Sequence, residues 1–451
     1  MPSREVPLRT KLLYGAGDAA INIKNSVINL FLLFFYADVL GASPQWIGAA
    51  IFIGKVWDAV TDPAMGYISD TTGSRWGRRR PYVVLSALPM GVAFYLLFSP
   101  PPLSPAATVA YLCVTAIALY TCFTVYATPY LAWGAELARD YHERTEVVQV
   151  RAIFGGLGGM LGATLPAAIT REAVDPRVAY SRMGLLLGAL IVVSGLVVGF
   201  FVKDRPVSRS RATGFRHFLG GLRQTFANRQ FAVIFATFCL MTASASLSHA
   251  VQLIVIKYRL LLYDRFALIA LVFALSFAAS FPLWQTLSRR LGKQRALVVA
   301  LQLGCIAPFG WILVPPGNLT AMLVFMVVGG LLTGSITLAA SAAADAIDLD
   351  ELATGEQRAG AYFGIWTLGL KIASAVGVLL AGLLLSLVGY LPEQTQAAST
   401  MWWLVMAVGP LQALANLVGY LIFRDLRIEA SDIRRVQAEL DARRSFVDPT
   451  G

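Results

Sequence analysis

Apolar stretches of about 20 residues recur from Leu12 to Phe423, each long enough to cross roughly 30 Å of hydrocarbon as a helix. Lipid offers no partner to a backbone N–H or C=O, so such segments must satisfy their own backbone groups. Charged residues are 14% of the 451, and hydrophobic residues 57%. A soluble domain carries about a quarter charged residues. No polar block is large enough to fold as a separate soluble unit. The pattern predicts twelve spans, at 12–38, 45–69, 82–99, 106–137, 147–170, 180–202, 230–258, 264–288, 295–314, 319–344, 359–389 and 399–423.

The formal charge of +11 follows topology rather than nucleic-acid binding. Most of the 37 lysines and arginines fall on one side of the spans: Arg75 to Arg80, Arg139 to Arg151, Lys203 to Arg229 and Arg289 to Arg295. The positive-inside rule makes that side cytoplasmic and places both termini there. Met1 to Lys11 is short and basic, and the apolar stretch after it is too long for a signal h-region. The first span is therefore expected to stay in place, in a multi-pass plasma (inner) membrane protein. Cys113, Cys122, Cys239 and Cys305 lie in apolar segments without CxxC spacing, so they read as free core thiols. His142, His217 and His249 show no metal spacing, and no Gly-Lys-Ser/Thr phosphate loop occurs. No enzyme activity, cofactor or nucleic-acid partner is expected.

The loop from Lys203 to Arg229 divides the chain. Its Phe215, Phe218, Leu219, Leu222 and Phe226 recur at helical spacing, as in an amphipathic helix on the inner membrane surface. The expected organisation is an N-terminal six-helix bundle (1–202), a linker (203–229), a C-terminal six-helix bundle (230–424) and a cytoplasmic tail (425–451), where Ser431 could cap a short helix. A weak repeat supports two related halves. The loop Gly66 to Pro81 and the loop Leu287 to Arg295 both place glycine and clustered cations in a tight turn. The fold class is thus an all-α membrane protein with two pseudo-symmetric six-helix bundles, expected to be monomeric.

Charged residues inside spans carry the chemistry, because a charge in hydrocarbon needs compensation. Lys55, Asp58 and Asp62 share one face of the second span. Two acids and one base leave that face net negative, which suits a cation; Lys55 is expected to partly neutralise the acids and couple the site. Thr61 beside them and Thr124 in span four add oxygens for a hard monovalent cation. Span one carries Asp18, Asn22, Asn25 and Asn29 as a polar stripe, suited to lining a wet cavity for a hydroxyl-rich solute. Lys24 lies off that stripe. Tyr120, Thr121 and Thr128 accompany Thr124, with Tyr120 and Thr121 expected to pack or hydrogen-bond. Arg151 in span five suits substrate binding or closure of the cytoplasmic side. Lys371 stands alone in span eleven and needs a substrate group, a cavity or a partner such as Asp58 or Asp62. Asp70 with Arg75, Arg78 and Arg80, and Asp345, Asp348, Glu351 and Arg358, sit at cytoplasmic helix ends, where charge pairs can latch one conformation. His249 is expected to be a packed or hydrogen-bonded histidine.

These stretches resemble a known family. Gly66-x-x-x-Asp70-x-x-Gly73 followed by an arginine-rich turn is similar to the loop motif of the major facilitator superfamily. Tyr14 to Gly17, Phe35 to Gly41, Trp57 to Gly66, Arg75 to Pro81, Asp345 to Asp348, Thr354 to Arg358, and Lys371 resemble, in order, the glycoside–pentoside–hexuronide:cation symporters of the melibiose permease type. The resemblance implies a cation site (Na⁺ or H⁺) at Asp58, Asp62, Thr61 and Thr124, and a cavity near Lys371. Of the sugar-binding positions, Arg151 is kept, but Asn22 and Ala127 replace aspartates, which argues against a galactoside. Lysophospholipid carriers share the span-two acids. The expected function is cation-coupled symport of a glycoside, pentoside or hexuronide by alternating access. A carrier of lysophospholipids or other amphiphiles, and a membrane sensor without flux, are the alternatives.

Overall fold

The computed structural model describes residues 6–138, 141–171, 173–203, 228–335, 338, 347 and 359–424. Its elements are helices and turns, and they fall at all twelve predicted positions. The helices are α1 (Leu8–Val27, continuing through π-helical turns Ile28–Leu32 and Phe35–Val39), α2 (Pro44–Thr71), α3 (Arg80–Leu97), α4 (Pro105–Leu137), α5 (Tyr141–Thr170) and α6 (Pro176–Phe201). They go on with α7 (Arg229–Tyr258), α8 (Phe266–Leu291), α9 (Lys293–Ile306, extended by Ala307–Phe309 and Gly310–Leu313), α10 (Leu319–Thr333), α11 (Ala359–Leu387) and α12 (Ala398–Val408 and Pro410–Phe423). Among the described residues, nine helices are long and apolar enough to cross a membrane. Those outside that set are α1 and α2, which carry the charged residues named above, and α10, whose described part is short. The amphipathic linker segment and the tail lie outside the described residues, as do Asp345, Asp348, Glu351 and Arg358.

Helix packing repeats with a shift of six. α1 packs on α5 and α6, as α7 does on α11 and α12. The α2–α4 pair matches α8–α10, and α3–α6 matches α9–α12. Across the halves, α2–α11 matches α5–α8. This is the pseudo-symmetry that the weak loop repeat foretold.

Helix starts are fixed by side-chain oxygens that accept otherwise orphaned N–H groups. Asp175 accepts from Arg177 N–H at 2.8 Å, Asn228 from Phe231 at 3.1 Å, and Asn318 from Ala321 at 2.9 Å. Small residues allow close helix contact, as expected where lipid supplies no hydrophobic drive. A Cβ on Gly158 of α5 would stand 2.6 Å from the Ala19 backbone of α1. Leu85, Leu88, Val114, Leu185 and Leu387 remain exposed. That apolar exterior suits hydrocarbon rather than water.

Candidate functional site

Asp58 and Asp62 of α2 face Thr124 and Thr128 of α4, two ladders with the same one-turn spacing. Thr124 Oγ1 donates to Asp58 Oδ1 at 2.7 Å, and Thr128 Oγ1 to Asp62 Oδ1 at 3.1 Å. Thr61 Oγ1 donates to the Trp57 carbonyl at 2.8 Å and lies 3.3 Å from Thr124 Oγ1. From the other half, Lys371 Nζ donates to Asp58 Oδ2 at 2.8 Å and to Asp62 Oδ2. The predicted oxygen set therefore comes together, with Thr128 added. Asp62 precedes Pro63 and Thr128 precedes Pro129, each proline lying inside its helix. Proline has no N–H, so the carbonyls of Ala59 and Val125 lose their intrahelical donors beside the site. The Asp58 side chain is 6% exposed, whereas Asp62 and Lys371 are 26% and 27% exposed. The site thus opens to solvent at the Asp62 rung.

Two expectations are corrected here. Lys55 does not pair with the acids of its own helix. Helical side chains lean toward the N-terminus, so Lys55 reaches away from Asp58 and Asp62. Its Nζ donates to Asn29 Oδ1 at 3.0 Å and to Ser374 Oγ at 2.8 Å. The region is also not net negative. Lys371 joins the acids as an ion pair, and Lys24, buried at 2% exposure, lies 3.4 Å over the Phe123 ring and 4.6 Å over Tyr120. Asp58, Asp62, Lys55 and Lys371 all act electrostatically on Lys24. Three lysines therefore surround two carboxylates. His249 of α7 is within electrostatic reach of Lys55 and keeps accessible surface.

The polar stripe of α1 divides. Asn22 Nδ2 donates to Asp18 Oδ2 at 3.2 Å and to the Asp18 carbonyl at 2.9 Å, and Arg151 Nε of α5 lies 3.6 Å from Asp18 Oδ1. Asp18, Asn22 and Arg151 thus form one cluster between α1 and α5. Asn25 is half-buried, with no side-chain hydrogen bond among the described residues. Thr121 Oγ1 accepts from Trp57 Nε1 at 2.9 Å, the packing role expected of it.

The α2–α3 loop is held by residues of its own half. Arg79, buried at 4% exposure, pairs with Asp70, donates to Glu136 Oε1 at 2.8 Å and to Ser69 Oγ at 2.6 Å. Arg78 donates to the same Glu136 oxygen at 2.7 Å. Arg80 donates to the carbonyls of Gly199 at 2.5 Å and Phe200 at 3.0 Å, at the end of α6. Arg75 is exposed and joins none of these. Arg79, inside the Arg75 to Arg80 run, and Glu136 are thus the centre of this anchoring. Proximity of Arg79 to Asp70 along the chain was the available signal; nothing in sequence announced Glu136.

A further cluster lies at the opposite end of the bundle from the basic loops. Asp38, in the second π turn of α1, is 1% exposed. Its carboxylate accepts from Lys257 Nζ and Tyr258 Oη, each at 2.5 Å, and from Tyr390 Oη. The Glu393 N–H donates to Tyr258 Oη at 3.0 Å. α2 and α11 also touch backbone to backbone at this end. A Cβ on Gly382 would stand 2.4 Å from the Pro44 carbonyl, and one on Gly48 would stand 3.1 Å from Gly382 Cα.

The sequence profile of a family described as MFS/sugar transport protein matches residues 13–430. The chain belongs to that family. It is 26% identical over 447 residues to the uncharacterized symporter YnaJ of Bacillus subtilis, covering 98% of this chain and 96% of that one. It is 26% identical to the isoprimeverose transporter of Lactiplantibacillus pentosus, over 88% of this chain and 84% of that one. It is 24% identical to sodium-dependent lysophosphatidylcholine symporter 1-A of Danio rerio, over 94% and 87%. Among solved structures, nucleoside transporter NupG matches with a TM-score of 0.63 at 12% identity, covering 93% of this chain and all of that one. The bacterial homolog of the human lysosomal transporter Spinster matches with a TM-score of 0.63 at 12% identity, over 92% and 96%. The structural likenesses establish the major facilitator fold. Family and fold are those of a membrane transporter, not an enzyme.

Proposed function

We propose that this protein couples the movement of a cation, Na⁺ or H⁺, to uptake of a sugar-type solute by alternating access. The observation that carries this reading is the double ladder of Asp58–Thr124 and Asp62–Thr128, closed from the other half by Lys371. Carboxylate and hydroxyl oxygens suit a hard cation. The Lys371 ammonium stands where that cation would sit. An arriving Na⁺, or a proton on one aspartate, takes over the compensation and releases Lys371. Loading then rewrites the tie between α2 and α11, and so between the halves at 1–202 and 230–424. One charge moving inward across about 100 mV supplies about 2.3 kcal/mol. That is enough for roughly fiftyfold accumulation.

The basic loops are assigned to the cytoplasm, with both termini there and the protein in the plasma (inner) membrane. Closure at Asp38 and exposure at Asp62 together fit a carrier open toward the cytoplasm. Asp18, Asn22, Asn25 and Arg151 are assigned to the substrate path. Similarity to a lysophosphatidylcholine symporter over 94% of this chain favours a second reading, in which the solute is a lysophospholipid.

The test is thermal stability of the purified protein in Na⁺ and in choline buffer, at two pH values, with glycosides, pentosides, hexuronides and lysophospholipids. Uptake into proteoliposomes follows for each stabilising compound. Cation-dependent stabilisation and uptake of one sugar class support the first reading. The same behaviour with lysophospholipids alone moves the function to the second. Cation binding without flux of any compound would leave a sensor.

A further inference from the structure

Two buried ammonium groups have no carboxylate within ion-pair distance among the described residues. Lys55, at 9% exposure, donates among the described residues only to the neutral oxygens of Asn29 and Ser374. Lys24, at 2%, makes no hydrogen bond or ion pair among the described residues and rests on the Phe123 and Tyr120 rings. Ring faces attract a cation but do not neutralise it. Among the described residues, the nearby acids make their ion pairs elsewhere. Asp58 and Asp62 hold Lys371, and Asp18 faces Arg151. A buried charge without a counter-charge opposes folding, so in a membrane protein it marks a functional site by default.

The groups around Lys55 form a lining drawn from both halves. Asn29 comes from the first π turn of α1, Ser374 from α11, and Ser246 from α7. Ser246 Oγ donates to Ser374 Oγ at 2.9 Å, so Ser374 accepts from both Ser246 and Lys55. An ammonium has three donors, and Lys55 uses two. The third, and the Ser374 hydroxyl proton, have no acceptor among the described residues. His249 follows Ser246 one helical turn on, open and within electrostatic reach of Lys55.

We infer that Lys55, Ser374 and Asn29 form an oxyanion site, and that the transported solute carries a carboxylate, phosphate or sulfonate that docks there. Lys24 adds positive charge to the same region. The inference rests on the symport reading and narrows its substrate class. A neutral glycoside would leave both lysines uncompensated. A sugar acid, a sugar phosphate and a lysophospholipid headgroup all supply the missing charge.

The test is a set of matched pairs with the purified wild-type protein, read by calorimetry and thermal shift. The pairs are methyl glucuronide against methyl glucoside, glucose 6-phosphate against glucose, and lysophosphatidylcholine against a monoacylglycerol of equal chain length. At least one anionic member is expected to bind about tenfold tighter than its neutral match. The pair that responds identifies the source of the oxyanion. Lys55→Gln is expected to erase that preference, Lys55→Arg to keep it, and Lys24→Met to narrow it. Equal binding within every pair, or no binding of any anion, overturns the inference. Cation-coupled uptake of a neutral sugar would overturn it while keeping symport. Anion binding indifferent to Na⁺ and pH would uphold it while removing symport.

Discussion

Two carboxylate clusters tie the halves of this protein together, and they are built on opposite principles. At Asp38 one buried carboxylate takes donors from Lys257, Tyr258 and Tyr390, all from the second half. Nothing in that cluster is left open for an ion. At Asp58 and Asp62 two carboxylates share a single ammonium, and the Asp62 rung is about a quarter exposed. A saturated carboxylate holds or lets go as a unit, which suits a latch. An acid pair sharing one cation can exchange it for another, which suits coupling. The same residue type therefore serves two purposes, set by how many donors reach it.

The comparison breaks most readily at its ion-exchanging end. Asp58→Asn is expected to lower cation-dependent uptake in proteoliposomes by about a hundredfold, about 2.7 kcal/mol, with an unchanged elution profile. Wild-type cation dependence in that variant would sink the assignment. Asp38→Asn should behave differently. It strips Lys257 of its counter-charge, so uptake should fall about tenfold while Na⁺- or H⁺-dependent stabilisation persists. Spin labels at Ser43 and Gln394 should then report a wider separation. If cation-dependent stabilisation vanishes instead, the two clusters are one functional unit.

Gly382→Val sharpens the comparison without touching a charge. Its side chain would press on the Pro44 carbonyl and wedge α2 from α11. The same label pair should widen, with uptake reduced about threefold to tenfold. An unchanged distance would mean that the seam yields elsewhere. The smallest effect is expected from Thr128→Val, which removes one hydroxyl from Asp62. The cation concentration for half-maximal uptake should rise about threefold to tenfold at an unchanged maximal rate. Thr124→Val, acting on the more buried Asp58, should exceed it; the reverse order would shift the ion toward the Asp62 rung.

Much of this was legible in sequence because hydrocarbon enforces simple rules. Apolar length placed the helices, and the i, i+4 acids marked the candidate site. The loops Gly66 to Pro81 and Leu287 to Arg295 hinted at the repeat that helix packing displays. What escaped notice depended on direction rather than residue type. Lys55 shares a face with Asp58 and Asp62 on a helical wheel, yet its lean carries it to Ser374, 319 positions away in the chain. Thr128 could have been chosen with Thr124, because Thr128-Pro129 echoes Asp62-Pro63. Lys24 gave no such signal, since ring faces reach it only through the packing of α4. The Asp38 cluster joins segments more than 200 positions apart, and no local pattern connects them.

The wide turns of α1 carry a consequence for sequence change. Each π turn holds one residue more than an α-helical turn would, and Asn29 and Asp38 sit in the first and second of them. Deleting one residue between 28 and 32 would restore regular winding and leave the face beyond it nearly in place, because the wide turn covers about the same angle as an α-helical turn with one residue fewer. One residue lost from the α-helical stretch Leu8–Val27 would instead turn the segments on its two sides by roughly 100° relative to one another, and Asp38 could no longer meet Lys257 while Asp18 and Asn22 kept their places. The wide turns are therefore where α1 can lose a residue, and its regular winding before them is where residue number, more than residue identity, is what a relative or a redesign must preserve.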